Sequence, residues 1–191
     1  ERNNMATKLL LTATYIKEYT FLDPNVDEKY IRIAIEEAQR IHIRNFIGSG
    51  LYNEILSQVP SSLTALNTTL TDDYIIPALK WWVLIEAAPF LTYKMTNKNI
   101  VKKNSDSSSS IDYNELDQFM NLITDKAQYY TKRLIEYLCE NQTSYPLYYN
   151  PGNGVDVIYP SGTAYDCGIY LNRKRKPTSY EERFETRNTN E

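Results

Sequence analysis

The sequence predicts an all-α protein: a small helical bundle with two long antiparallel helices and a shorter N-terminal helix pair, followed by an extended, partly β C-terminal arm. Three observations predict it. Leu116, Met120, Ile123, Ala127, Tyr130, Leu134 and Tyr137 recur at spacings of four and three, an a/d seam sustained over about three heptads. Residues 74–91, YIIPALKWWVLIEAAPFL, are apolar on every side, the pattern of a buried central helix. Tyr30, Ile31, Ala34, Ile35, Ala38, Ile41 and Phe46 fall in one broad stripe at the helical period.

The elements follow in chain order. Residues 1–24 read as a leader. Lys8 precedes Leu9, Leu10 and Leu11, an apolar run too short for a signal peptide. Residue 1 is Glu and Met5 follows a polar tetrapeptide, which points to a translated start other than residue 1. The first helix is expected over Asp27 to Ile47, with Asn25 and Glu28 spaced as a capping box and Gly48 as the C-terminal stop. Its outer face carries Arg32, Glu36, Arg40 and Arg44, with Glu28–Arg32 and Glu36–Arg40 four apart. Ile33, Ile43 and Ile47 lie among those charges, so they are expected to form a second contact surface. A short helix over Leu51 to Gln58 ends before Pro60, and Ser61 to Leu70 reads as either a helical turn or an irregular link.

The second long helix is expected over 72–97, with Pro77 in its first turn, where a missing N–H is cheap, and Pro89 bending it. Its length suits a bilayer, but Lys80 and Glu86 each cost roughly 2.5–3.5 kcal/mol at a bilayer centre, so a core helix is the better reading. The run SDSSSS at 105–110 is a connector, and Asp112 with Glu115 opens a third helix that reaches Glu140. Residues 25–142 thus form the bundle and 143–191 the arm. The arm holds Tyr, Pro, Gly and Asn without an apolar period, and its extended pieces at 155–159 and 168–171 cannot make a stable sheet alone. Tyr145, Tyr148, Tyr149, Tyr159, Tyr165 and Tyr170 are therefore expected to bury their rings against a neighbouring subunit or another partner.

Composition narrows the function. The 191 residues carry 21 Lys and Arg against 24 Asp and Glu, a net charge of −3, which does not suit a general polyanion binder. Tyrosine is the outlier, 17 against 5 Phe and 2 Trp, and tyrosine is favoured where protein meets protein. No phosphate loop, dinucleotide fingerprint, nucleophile elbow or HExxH zinc motif is present. Cys139 and Cys167 lack metal-ligand spacing and read as free thiols rather than a disulfide, so no metal and no cofactor is expected. The single histidine, His42, points into an apolar stripe and reads as a packing residue. Glu86 reads as a carboxylate held by a structural hydrogen bond or ion pair with another helix or near Lys80, since general acid–base work needs a second positioned group. Arg173, Lys174, Arg175 and Lys176 form the one charge cluster, open to phosphate, to an acidic protein partner, to a nuclear-signal role or to plain solvation. No catalytic residue is expected.

The stretch LTATYIKEYTFLDPNVDEKYIRIAIEEAQRIHIRNFIGSGLYNEILSQ, with its D-x-x-I-x-x-x-I-x-x-A-like helix, Gly–Leu–Tyr turn and short helix, followed by two long helices, resembles the head–tail connector (adaptor, or head-completion) family of tailed bacteriophages. The resemblance runs from Leu11 to Asn141, and the tyrosine- and asparagine-rich style is similar to that of crAss-like phage proteins. It implies a structural virion protein made in the host cytoplasm and placed at the head–tail interface. There a ring of about twelve copies, each with two complementary faces, would bind the portal and further tail proteins and continue the DNA channel without reading sequence. The partner-binding residues are then Ile33, Ile43, Ile47, Tyr148, Tyr149, Tyr159, Tyr165, Tyr170 and Arg173–Lys176. The competing class is a nucleic-acid-binding packaging or regulatory protein such as a small terminase subunit, which would want a basic recognition helix that the sequence lacks.

Overall fold

Helix formation begins where local side chains cap free backbone donors. In the computed structural model, which describes residues 8–95, 100–102, 113–154 and 156–162, Thr12 accepts from the Tyr15 amide and opens α1 (Ala13–Tyr19). Asp27 accepts from the Lys29 amide at 2.9 Å and opens α2 (Glu28–Ala38). Asp27 thus takes the capping role expected of Asn25, whose own amide donates to Asp23 in the preceding turn at 2.7 Å.

The helix continues past α2 through a wide π turn, Gln39–Ile43, in which the Arg44 amide reaches back five residues to the Gln39 carbonyl. A π turn adds one residue to the helical count and rotates everything after it. The core stripe Ile31, Ala34, Ile35, Ala38 therefore continues through Ile43, Phe46 and Ile47. This corrects two expectations at once. Ile43 and Ile47 are fully buried and form no outer ridge, whereas Ile41, expected in the core, is 45% exposed. Ile33 keeps its outward position. The turn also points Gln39 inward, where its side chain donates to the Lys8 carbonyl and accepts from the Leu10 amide, tying the leader to the core.

α3 (Arg44–Gln58) is broken at Gly48, whose φ of 79° and ψ of 158° lie outside the helical region. Thr64 caps α4 (Ala65–Leu70), which resolves the open Ser61–Leu70 segment as helical. A second π turn, Thr71–Ile75, joins α4 directly to α5 (Ile76–Thr92). Pro77 is the second residue of α5, in its first turn as expected, although the helical backbone runs unbroken through the π turn before it. The wide turn just before it relaxes the carbonyl crowding that a proline ring otherwise meets. The second long helix ends at Thr92, three residues beyond Pro89, instead of running to 97. The chain then forms β1 (Tyr93–Met95), paired antiparallel with β2 (Ile100–Lys102) in the register Tyr93↔Lys102. Pro89 leaves the last helical turn short of one donor, and the residues that follow favour extended backbone.

α6 (Tyr113–Glu140) is the longest element, about 42 Å at the helical rise. It lies antiparallel on α5: Tyr74, just before α5, stacks on Tyr137 at 4.0 Å, and Trp82, eight residues on, meets Thr131, six residues back. Ile123, Ala127 and Leu134 of the seam are buried, joined by Thr131, Ile135 and Leu138, while Met120, Tyr130 and Tyr137 are half-buried. α5 is the central element, packed between α2 and α6, and the fold is helical as the seam and the apolar run predict. By length and composition the continuous helix Ala65–Leu91 is apolar enough to cross a membrane. Here Ile75, Ala78, Leu79, Val83 and Ala87 serve as core.

The first part of the arm lies on the bundle. α7 (Pro146–Tyr149) brings Tyr145 and Tyr148 into the core, and the Tyr145 hydroxyl donates to the Leu66 carbonyl at 3.0 Å. Farther on, the Ser49 amide donates to the Ile158 carbonyl, the Ile158 amide to Ser49 Oγ, and the Ser161 amide to the Asn45 carbonyl. Two glycines admit this strap. A Cβ on Gly50 would lie 2.6 Å from Pro151 Cα, and one on Gly48 would lie 3.0 Å from the Pro160 ring. No strand pairing is present in 156–159, and the piece at 168–171 lies outside the described residues.

Gly50→Ala is expected to cost about 1–3 kcal/mol, because a methyl group there collides with backbone that cannot yield cheaply; urea denaturation checks it, and an unchanged midpoint would mean the strap is not seated on α3. The buried phenols give a pH dependence. Burial raises Tyr145, Tyr148 and Tyr149 above the usual tyrosine value of 10.0, Tyr149 to about 12, with Tyr137 adding to the effect at Tyr145 and Cys139 at the other two. A folded state that resists phenol ionisation keeps its full stability below pH 10 and loses it as pH rises toward about 12. The urea midpoint should therefore fall through that window, and less steeply in Tyr148→Phe.

Candidate interaction surface

Viewed along α6, two stripes share one helix. Ile123, Ala127, Leu134 and Leu138 face α5, while Phe119, Leu122, Lys126 and Tyr129, spaced three, four and three apart, face outward. Phe119, Leu122 and Tyr129 are each exposed by more than 40%. Phe21, 56% exposed in the link between α1 and α2, sets its ring edge-on to Phe119 at 5.5 Å and tilted to Trp81 at 6.2 Å. Three chain segments thus build one aromatic ridge.

Behind the ridge lies a groove of about 400 Å³, lined by Trp81, Leu122, Asp125, Lys126, Tyr129 and Tyr130. Lys126 stands over the Trp81 ring at 4.7 Å and Lys80 over the same ring at 5.6 Å. Neither lysine has an ion pair among the described residues, so two cations lie near one indole ring, and Lys126 lines the groove with Asp125 as its one carboxylate. The Trp81 Nε1–H is buried and has no acceptor among the described residues. The groove therefore offers apolar ring surface and positive charge. It suits an aromatic segment that brings carboxylate or carbonyl oxygens.

A second constellation brings together the two groups that the sequence left apart. His42 Nε2 lies 2.8 Å from Glu86 Oε1, and the His42 ring stacks on Trp82 at 3.9 Å. Trp82 Nε1 donates to Thr131 Oγ1, which donates to the Ala127 carbonyl. Glu86 has the partner on another helix that its isolation in an apolar run called for. Together these side chains brace the first helical run, α5 and α6. No group of three or more His, Cys, Asp or Glu side chains converges among the described residues.

The sequence-predicted contact residues are dispersed. Ile43, Ile47 and Tyr148 are buried within the subunit and unavailable to a partner, and Tyr149 is half-buried beside Tyr148. Ile33 and Tyr159 are exposed, on α2 and on the strap. Tyr165, Tyr170, Arg173, Lys174, Arg175 and Lys176 lie outside the described residues. Phe21, Trp81, Phe119, Leu122 and Tyr129, by contrast, escaped sequence reading. The signal that marks three of them is a second apolar stripe on α6, obscured by the stronger heptad seam beside it.

His42→Ala is expected to lower stability by about 1–3 kcal/mol, since it removes the Trp82 stack and leaves a half-buried carboxylate without its partner. Equilibrium urea unfolding checks this, and an unchanged midpoint would show that the brace contributes nothing.

No curated protein and no solved structure matches the chain. A family model does match, over residues 43–157, from the end of the first π turn into the strap. That span exceeds half of the sequence, and the chain belongs to the family of unknown function DUF6712.

Proposed function

We propose that the protein is a structural component of a tailed-phage virion, a subunit of an oligomeric ring that joins the portal to the tail and continues the DNA channel. The observation that carries the self-assembly part of this reading is the aromatic ridge of Phe21, Trp81, Phe119, Leu122 and Tyr129. Phe21, Phe119, Leu122 and Tyr129, each exposed by more than 40%, cluster with the half-buried Trp81 at one side of the fold, a pattern that favours a protein partner. The likeness of Leu11–Asn141 to head–tail connectors supplies the identity of the assembly. In this reading the subunit's work is positional, with no catalytic step, and DNA passes without sequence-specific contact. Its partners are other copies of itself, the portal and further tail proteins at the head–tail interface.

Native mass spectrometry of the purified protein, alone and mixed with a portal, tests the proposal. The expected result is a closed multimer, alone or seated on the portal. A monomer under both conditions would overturn it.

A further inference from the structure

The aromatic groove has a fitting occupant in the chain itself. Residues 180–185 read Tyr-Glu-Glu-Arg-Phe-Glu, two rings four positions apart among three carboxylates. No other stretch outside the described residues combines two aromatic rings with so many acidic groups. The groove presents the complement: ring surface at Trp81 and Tyr129 and Lys126 in its lining, with Lys80 beside the same indole, both lysines unpaired among the described residues. We infer that the segment Tyr180–Glu185 of one copy docks into the Trp81–Lys126 groove of a neighbouring copy, a contact that rests on the self-assembly reading above. Tyr180 and Phe184 lie against Trp81, Leu122 and Tyr129, and Glu181 and Glu182 meet Lys126 and Lys80.

Chain geometry allows the exchange. Ser161 is fixed to Asn45 on the first helical run, whereas the groove is walled by α5 and α6. Seventeen residues, 163–179, separate the strap from the docking segment and reach about 55 Å when extended. Each subunit then carries one donor segment and one acceptor groove at different places on its surface. Such a contact is heterologous, and it closes into a ring if the rotation between neighbours permits. Opposite charges at the contact fix its register and discourage wrong pairings.

The test places a photoreactive benzoylphenylalanine at position 184 of the full-length chain and mixes it with ¹⁵N-labelled wild-type chain. Irradiation should cross-link it to residues 119–130 or to Trp81 of the labelled partner. A multimer whose cross-links fall elsewhere, or only within one chain, overturns the inference while leaving the assembly reading standing. A chain that stays monomeric in this mixture overturns the inference, and one that stays monomeric with the portal as well overturns both. A charge exchange gives an independent check, since Lys126 is exposed and its replacement does not disturb the core. Lys126→Glu should weaken self-association several-fold, and adding Glu181→Lys and Glu182→Lys should restore it. Equal association of all three proteins would also overturn the inference.

Discussion

Two π turns, at Gln39–Ile43 and Thr71–Ile75, set the register on which the rest of the fold depends. Each adds a residue to an otherwise regular helix, so the apolar face after the turn is rotated from where a constant period would put it. The first brings Ile43 and Ile47 onto the side of Ile31 and Ile35 and points Gln39 at the leader. The second lets the helix pass Pro77 unbroken and delivers Trp82 to both His42 and Thr131. Removing either turn would rotate Trp81 and Trp82 relative to their partners. The brace on one side of α5 and the groove on the other are thus two products of one register.

Much of the architecture is legible in the sequence, because it follows from long, strong periods. The seam Ile123, Ala127, Leu134 forms where spacing places it, and the run 74–91 becomes the central helix because its apolar surface must be covered. What escapes is whatever interrupts a period. Ile43, Ile47 and Ile41 change sides because an inserted residue leaves no mark in a hydrophobic pattern. Asn25 competes with Asp27 for the same cap, and the geometry of the Asp23 turn, not residue type, decides between them.

The candidate surface was harder to read for a different reason. Seating of the strap at Pro151 and Pro160 depends on the absence of side chains at Gly50 and Gly48, a hundred residues earlier, so nothing local in the arm announces it. The outward stripe of α6 contains Lys126 between its apolar members, and a lysine there looks like an ordinary solvated position. Only with Trp81 beneath it does that lysine become part of an aromatic site. The ridge also draws on Phe21, from a link with no period at all.

The first helical run holds both ends of the described chain: Leu10 at Gln39, and Ser161 and Ile158 at Asn45 and Ser49. These ties span very different separations in sequence, 29 residues for one and 109 for another. During synthesis the run therefore emerges long before the strap that covers it, with the Gly48–Gly50 face uncovered until residues near 160 leave the ribosome. Contacts of such long range form late and slow the approach to the native state. The early helices must consequently hold their shape on local caps and the Gln39 clamp until the last strap residues arrive. Translation order itself thus makes closure of the fold its last step.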